Sequence, residues 1–195
     1  MLSLKKTFLC LNYFDINMTW IRPIKKPIYL TEDPLIHEKI NVFDYFLLPF
    51  RPHPGGFGVK RRNHYHEGID IYAPPGEAIY AVEDSIVSHI GPFTGEHCGS
   101  PWWENTQAIV LTGASGSVVY GEIEVNSNLK VGDLVSANQL VGKVLTVLKK
   151  DKGRPKSMLH LELQKTWTGK WESGEIKLSD NLVDPFEHLK SSILK

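Results

Sequence analysis

The sequence predicts an all-β domain, a barrel-like sandwich of short antiparallel strands, and three observations carry that prediction. From Asn41 onward, short stretches of Val, Ile, Tyr and Leu are punctuated by Gly, Pro, Asn and Asp, as in strands separated by tight turns. The segment Gly113-Ala114-Ser115-Gly116 divides two such stretches and reads as a hairpin turn. A small Val-Gly unit occurs at Val131-Gly132-Asp133 and again at Val141-Gly142-Lys143, suggesting tight corners where glycine permits a sharp bend.

At 195 residues and 42% hydrophobic content, the chain can bury one sizeable core and is short for two. Residues 1–40 read as an N-terminal extension and 41–195 as the domain. Within the extension, residues 19–40 mix Pro, Lys and Glu with scattered apolar positions, with one short helix near Pro34 to Ile40. Strands are expected at Gly68 to Tyr72, Ala78 to Ile90, Thr106 to Thr112, Ser117 to Val125, Leu140 to Val147 and Met158 to Gln164. Asp184-Pro185-Phe186-Glu187-His188-Leu189 reads as a closing helical turn.

Lys+Arg and Asp+Glu each total 22, so the net charge is zero and the overall balance draws the chain toward neither nucleic acid nor an anionic membrane. Cys10 and Cys98 are too few and too far apart for a disulfide-rich scaffold, so each reads as a buried or free thiol. The opening MLSLKKTFLCLNYFDINM has a basic pair and a short apolar stretch. Asn12 and Asp15 interrupt that stretch and no small-residue cleavage site follows, so the expected location is cytoplasmic. No segment reaches the 18 or so apolar residues that span a bilayer.

Three segments hold chemistry-bearing residues. In Met158-Leu159-His160-Leu161-Glu162-Leu163-Gln164, period-two geometry puts the three leucines on a core face. The other face, expected to be solvated, then carries Met158, His160, Glu162 and Gln164. A histidine with a carboxylate two positions on fits a ligand with a supporting partner, though on this segment alone a surface histidine is the favoured reading. In His64-Tyr65-His66-Glu67-Gly68-Ile69-Asp70, residues 66, 68 and 70 share one side of an extended chain. Full extension would part the His66 and Asp70 α-carbons by about 13 Å, too far for metal bonds of about 2 Å, unless the chain bends at Gly68. An edge strand with exposed polar residues accounts for this segment as well. In Val118 to Val125, alternation sets Tyr120, Glu122 and Glu124 opposite Val119, Ile123 and Val125, which by itself describes a half-exposed strand.

Taken together and in order, these segments resemble the lysostaphin-type zinc endopeptidases, whose motifs are His-x-Gly-x-Asp, Tyr-x-His-Leu and His-x-His-Phe-Glu. Supporting matches are Ala73-Pro74-Pro75-Gly76, Lys130-Val131-Gly132-Asp133, Gln139-Leu140-Val141-Gly142 and Val183-Asp184-Pro185. The resemblance spans roughly Phe50 to Leu189. It implies the duplicated hybrid motif type of β-fold with a groove over a metal site. It also implies zinc held by His66, Asp70 and His160 and completed by water, with Glu162 supporting. Two imidazoles and a carboxylate with one open position suit a hydrolytic site. The implied substrate is peptide-like or peptidoglycan-like.

Both catalytic histidines of the resemblance are replaced. Glu122 stands where the Tyr-x-His motif places one, and Met158 where His-x-His places the other. Methionine offers neither a basic nitrogen nor a strong donor. Glu122, as a carboxylate beside a zinc site, is a competent general base, as in HExxH peptidases. As a fourth ligand it would instead close the site and make it structural. Oxyanion stabilisation would fall to zinc, Tyr120, His64 or Arg154. Trp102 and Trp103, or Trp167 and Trp171, read either as an aromatic wall of a groove or as packing. The first reading is a zinc metalloendopeptidase-like hydrolase acting on a peptide or amide bond with Glu122 as base. The alternative is a catalytically inactive zinc-binding module that recognises a peptide, glycan or protein partner. A biotinyl- or lipoyl-type carrier would match the Val-Gly corners but lacks the turn lysine and leaves the three ligands unexplained.

Overall fold

The computed structural model describes residues 19–26, 48–99, 101–151, 155–171 and 177–195. Its strands are β1 (Ile69–Tyr72), β2 (Ala78–Tyr80), β3 (Ser85–Pro92), β4 (Gln107–Gly113), β5 (Gly116–Val125), β6 (Leu134–Val135), β7 (Leu140–Thr146), β8 (Ser157–Gln164) and β9 (Leu182–Val183). Helix α1 (Phe186–Lys190) follows β9, as the Asp184 to Leu189 segment predicts. The expected helix near Pro34 to Ile40, Cys10 and Arg154 lie outside the described residues. No described helix is long and apolar enough to cross a membrane.

The strands form one curled antiparallel sheet, in the order β1-β8-β7-β5-β4-β3-β6, with β2 on β7 and β9 on β8. The sheet closes because β8 serves several partners. It pairs with β1, with β5 over Ser117–Gly121, and with β7 at Leu145 and Thr146. The inner side of the curl is the core. Leu159, Leu161 and Leu163 enter it from β8, and Ile69 and Ile71 from β1. Each fully buried leucine contributes about 1.5–3 kcal/mol relative to an exposed one. Trp20 and Ile24 are buried in the same core, and Ile24 bridges to Ile79. Gly113 pairs with Gly116, so the predicted hairpin joins β4 to β5 through Ala114 and Ser115.

Four features depart from the sequence expectations. The run Ala78 to Ile90 is two strands, broken at 81–84. There the Val82 amide donates to Tyr120 Oη, where a ladder would need a strand carbonyl, while Glu83 accepts from Ser115 Oγ and Asp84 Oδ1 from the Ala137 amide. The second Val-Gly unit is no corner. Gly142 lies within β7, paired with both Ile79 and Val125, and a Cβ there would stand 2.5 Å from the Glu124 carbonyl oxygen. Glycine is required by close backbone approach, not by a turn.

The third departure is in β5, which leaves β8 after the Gly121–His160 pair and joins β7 from the Ile123–Val144 pair. At this fork Glu122 adopts a left-handed backbone, φ 65°. Against β4 the register slips, with Tyr120 facing Ile109 and Ile123 facing Gln107, so Gly121 and Glu122 together oppose Ala108 in a β-bulge. The bulge shifts the alternation by one residue. Val118, Tyr120 and Ile123 therefore all point into the core, while Val119 joins Ala108 and Val110 on the opposite face. Tyr120 is thus not on the Glu122 face.

Fourth, the outer face of β8 is covered. All eight of its residues are buried, including His160, Glu162 and Gln164. Beneath a solvated face such polar groups would be free to hydrate; under cover they must find partners.

Candidate metal centre

Asp70 and His160 are direct cross-strand partners in the β1–β8 ladder, and such pairs place their side chains side by side on one face. His66 precedes β1. The chain bends at Gly68, as the sequence requires, and an added Cβ there would stand 2.4 Å from the Leu161 carbonyl oxygen of β8. The bend turns His66 back over Asp70. Segment 53–66 then folds as a strap: Gly55 O accepts the Asp70 amide, Val59 O accepts the His66 amide, and the Gly58 amide donates to His66 O.

The three side chains converge on one point. His66 Nε2 lies 3.1 Å from His160 Nδ1, and Asp70 Oδ1 lies 3.0 Å from each nitrogen. All three residues are buried. The outer nitrogens fix the tautomers. His66 Nδ1 faces Gly56 O at 2.9 Å, and a carbonyl can only accept, so that nitrogen carries the hydrogen and Nε2 presents a lone pair. His160 Nε2 donates to Glu162 Oε1 at 3.0 Å, leaving Nδ1 toward Asp70, and Gln164 Nε2 steadies Glu162 by donating to Oε2. The imidazole–carboxylate relay behind a ligand is the usual way a metal-binding histidine is oriented.

The charges match this geometry. Burial pushes the His66 imidazolium down, against the pull of Asp70. Burial would raise the Asp70 acid, but His66, Arg61 and the hydrogen bond from His160 outweigh it and hold Asp70 as a carboxylate well below the usual range. Burial also disfavours charged His160, but Asp70 and Glu162 overcome it, holding a proton on Nδ1 well above the ordinary range. That proton sits where a cation would replace it. The fit to zinc is good. Tetrahedral bonds of about 2.0–2.1 Å separate ligand atoms by about 3.3 Å, close to the observed triangle, and two nitrogens with one carboxylate oxygen form a zinc donor set.

Glu122 stands at the fork of β5, with Oε2 buried and without a hydrogen-bond partner among the described residues. Burial, and then the Asp70 charge, push its acid dissociation up to about 7, against the pull of His160 and Arg61. Backbone strain and a buried carboxyl oxygen without a partner among the described residues coincide here, a combination typical of functional positions.

Other sequence candidates are placed elsewhere. Tyr120 donates or accepts through Oη only toward the core, where it takes the Val82 amide at 2.9 Å, so it cannot face an oxyanion at this site. Met158 packs with Tyr72, Val147 and Leu148. Trp103 bridges to Leu148, and Trp102 lies under Lys150. The aromatic surface beside His160 is instead Phe93, 5.6 Å away between centroids, followed by Trp171 and Trp167. Two contributors escaped the sequence reading. Arg61 Nη2 donates to Asp70 Oδ2 at 2.5 Å, and the Gly56 carbonyl orients His66. Neither carries a motif; each matters only because the strap returns to β1.

An open cleft of about 390 Å³ is lined by Pro75, Glu104, Glu124, Lys143 and Leu145, among others. Leu145 directly opposes Met158, two residues before His160, so the cleft lies along the same outer face of the sheet.

A curled antiparallel sheet with a His/Asp/His cluster on its outer face defines a β-rich protein with a candidate metal centre. The sequence profile of Peptidase family M23 matches residues 64–173, more than half of the chain, and the chain belongs to that family. No curated protein sequence matches the chain. Among solved structures, it is similar to a peptidase M23 from Pseudomonas aeruginosa at 17% identity and TM-score 0.49, covering 91% of this chain and 52% of that one. It is also similar to the catalytic domain of the antimicrobial peptidase lysostaphin from Staphylococcus simulans, at 20% identity and TM-score 0.47, covering 70% and 88%. A zinc-containing peptidase from Vibrio cholerae matches at 16% identity and TM-score 0.43, covering 74% and 38%. The chain thus spans about half the length of the Pseudomonas protein.

Proposed function

We propose that this chain is a zinc-dependent hydrolase of peptide or amide bonds, with His66, Asp70 and His160 holding the metal and Glu122 as general base. The observation that carries the reading is the triangle of three convergent donor atoms 3.0–3.1 Å apart, whose outer atoms are already committed to Gly56, Arg61 and Glu162. When bound, zinc supplies Lewis acidity that makes water a stronger acid and a carbonyl a better electrophile. The residues of the chain do the rest. Glu122 accepts a proton from the attacking water and returns it to the leaving amine. The cleft along β7 offers room for substrate on the outer face, and Phe93 with Trp171 supplies an apolar wall beside His160. Membership of the M23 family supports a peptide or peptidoglycan-like substrate.

A second reading, a zinc-binding module without catalysis, rests on Met158, whose side chain is spent on apolar packing and supplies no imidazole. In that reading Glu122 closes the site as a fourth ligand. One experiment separates the two. Purified protein is assayed with zinc on a panel of peptide, amide and peptidoglycan-derived substrates, beside Glu122→Gln and Glu122→Ala variants whose metal content is measured. Zinc-dependent turnover that Glu122→Gln abolishes at full metal content supports the hydrolase. Absence of turnover across the panel, with zinc lost on removing Glu122, supports the closed module.

A further inference from the structure

We propose that Arg61 is a positioning residue that restricts Asp70 to offering one oxygen to the metal; this rests on the metal-centre reading above. A carboxylate that can rotate is able to present both oxygens to one ion, and a second oxygen would fill the position that a hydrolytic site keeps open. Here Asp70 cannot do so. Its Oδ1 faces the two imidazoles, while Oδ2 accepts from Arg61 Nη2 at 2.5 Å. The guanidinium is itself clamped, because Nη2 and Nε both donate to Pro54 O, at 2.7 and 3.0 Å. Its backbone is tied as well: the Arg61 amide donates to His64 O, and Lys60 bridges Tyr65 in the small hairpin that carries His66.

The consequence is a fork geometry that lysine cannot copy. One planar group engages a carbonyl and a carboxylate oxygen together, whereas an ammonium on a flexible stem supplies charge without that orientation. Arg61 therefore acts by direction, and its side chain remains about a third exposed at the edge of the site.

The test uses Arg61→Lys and Arg61→Gln variants of the full chain, with zinc affinity measured by chelator competition and coordination read from the visible spectrum of the cobalt-substituted protein. Folding of each variant is checked by circular dichroism, and Arg61→Lys keeps the charge should Arg61→Gln not fold. Loss of a supporting contact of this kind weakens metal binding about 10–100-fold. The expected result is such a loss in both variants, together with weaker cobalt bands characteristic of a higher coordination number as Asp70 swings to two-oxygen binding. A Lys variant that matches wild type in affinity and spectrum would overturn the inference, since charge alone would then suffice. Variants that lose affinity but keep the wild-type cobalt spectrum would overturn it too. Wild-type protein that binds neither zinc nor cobalt would overturn the metal centre itself, a failure distinct from these.

Discussion

Glu162 takes the Nε2 hydrogen of His160 from two residues along the same strand, with 3.0 Å between the two atoms. The contact needs no tertiary adjustment, because period-two geometry brings i and i+2 to one face. Removing it frees the ring to change tautomer and direction. Glu162→Ala is expected to weaken zinc binding about 10–100-fold, measured by chelator competition, while His160→Ala removes binding altogether. An unchanged affinity in Glu162→Ala would show that packing alone orients the ring.

Metal binding should register in stability. The ligands come from positions 94 residues apart, and zinc that binds only the folded chain stabilises it by about 2.7 kcal/mol at a hundred times the dissociation constant. For a domain of this size that corresponds to roughly 5–10 °C in Tm. The shift is expected in wild type, reversed by chelator, and absent from His160→Ala. Equal shifts in both proteins would place the bound zinc elsewhere.

The half-buried Glu122 carboxyl makes the metal-free protein pH-sensitive. Its dissociation in the fold is near 7, against an ordinary 4.5, so between those values the folded chain keeps a proton that the unfolded chain has released. Stability therefore falls as pH rises through that window and levels off above it, by an amount on the order of 3 kcal/mol at about 1.4 kcal/mol per unit. Glu122→Gln should flatten this slope and be the more stable protein at pH 8. Parallel Tm-versus-pH curves for the two would contradict the assignment.

Tyr120 is expected to matter for folding and not for chemistry. Tyr120→Phe leaves the buried Val82 amide without its acceptor, a loss of about 1–3 kcal/mol. Zinc affinity and any turnover should be unchanged. A variant of full stability with impaired metal binding would return Tyr120 to the site.

Much of this was legible in the sequence where the information is local. The leucines at 159, 161 and 163 announce β8 and its two faces, the Gly113–Gly116 hairpin announces its own turn, and His66 with Asp70 requires the bend that occurs at Gly68. Tyr120 was misplaced because a bulge leaves no trace in the pattern of apolar residues; only the β4 register reveals it. The break between β2 and β3 was hidden because its hydrogen-bond partners, Ser115, Tyr120 and Ala137, lie 32 to 53 residues away. Arg61 was invisible for a related reason. A basic residue in a turn has no assignable role until the strap is seen to lie against β1.

The fork in β5 joins two properties that are usually separate. The left-handed turn at Glu122 accompanies the strand's change of neighbours, from β8 to β7, and sets there a carboxyl that feels the charges of Asp70 and His160. Exchange of this residue thus alters the strand crossover and the charge beside the cluster in one stroke. Any descendant of this chain that acquires a different group at position 122 must choose it from the few side chains that tolerate such a backbone, so the chemical vocabulary open to the site is set by a seam in the sheet.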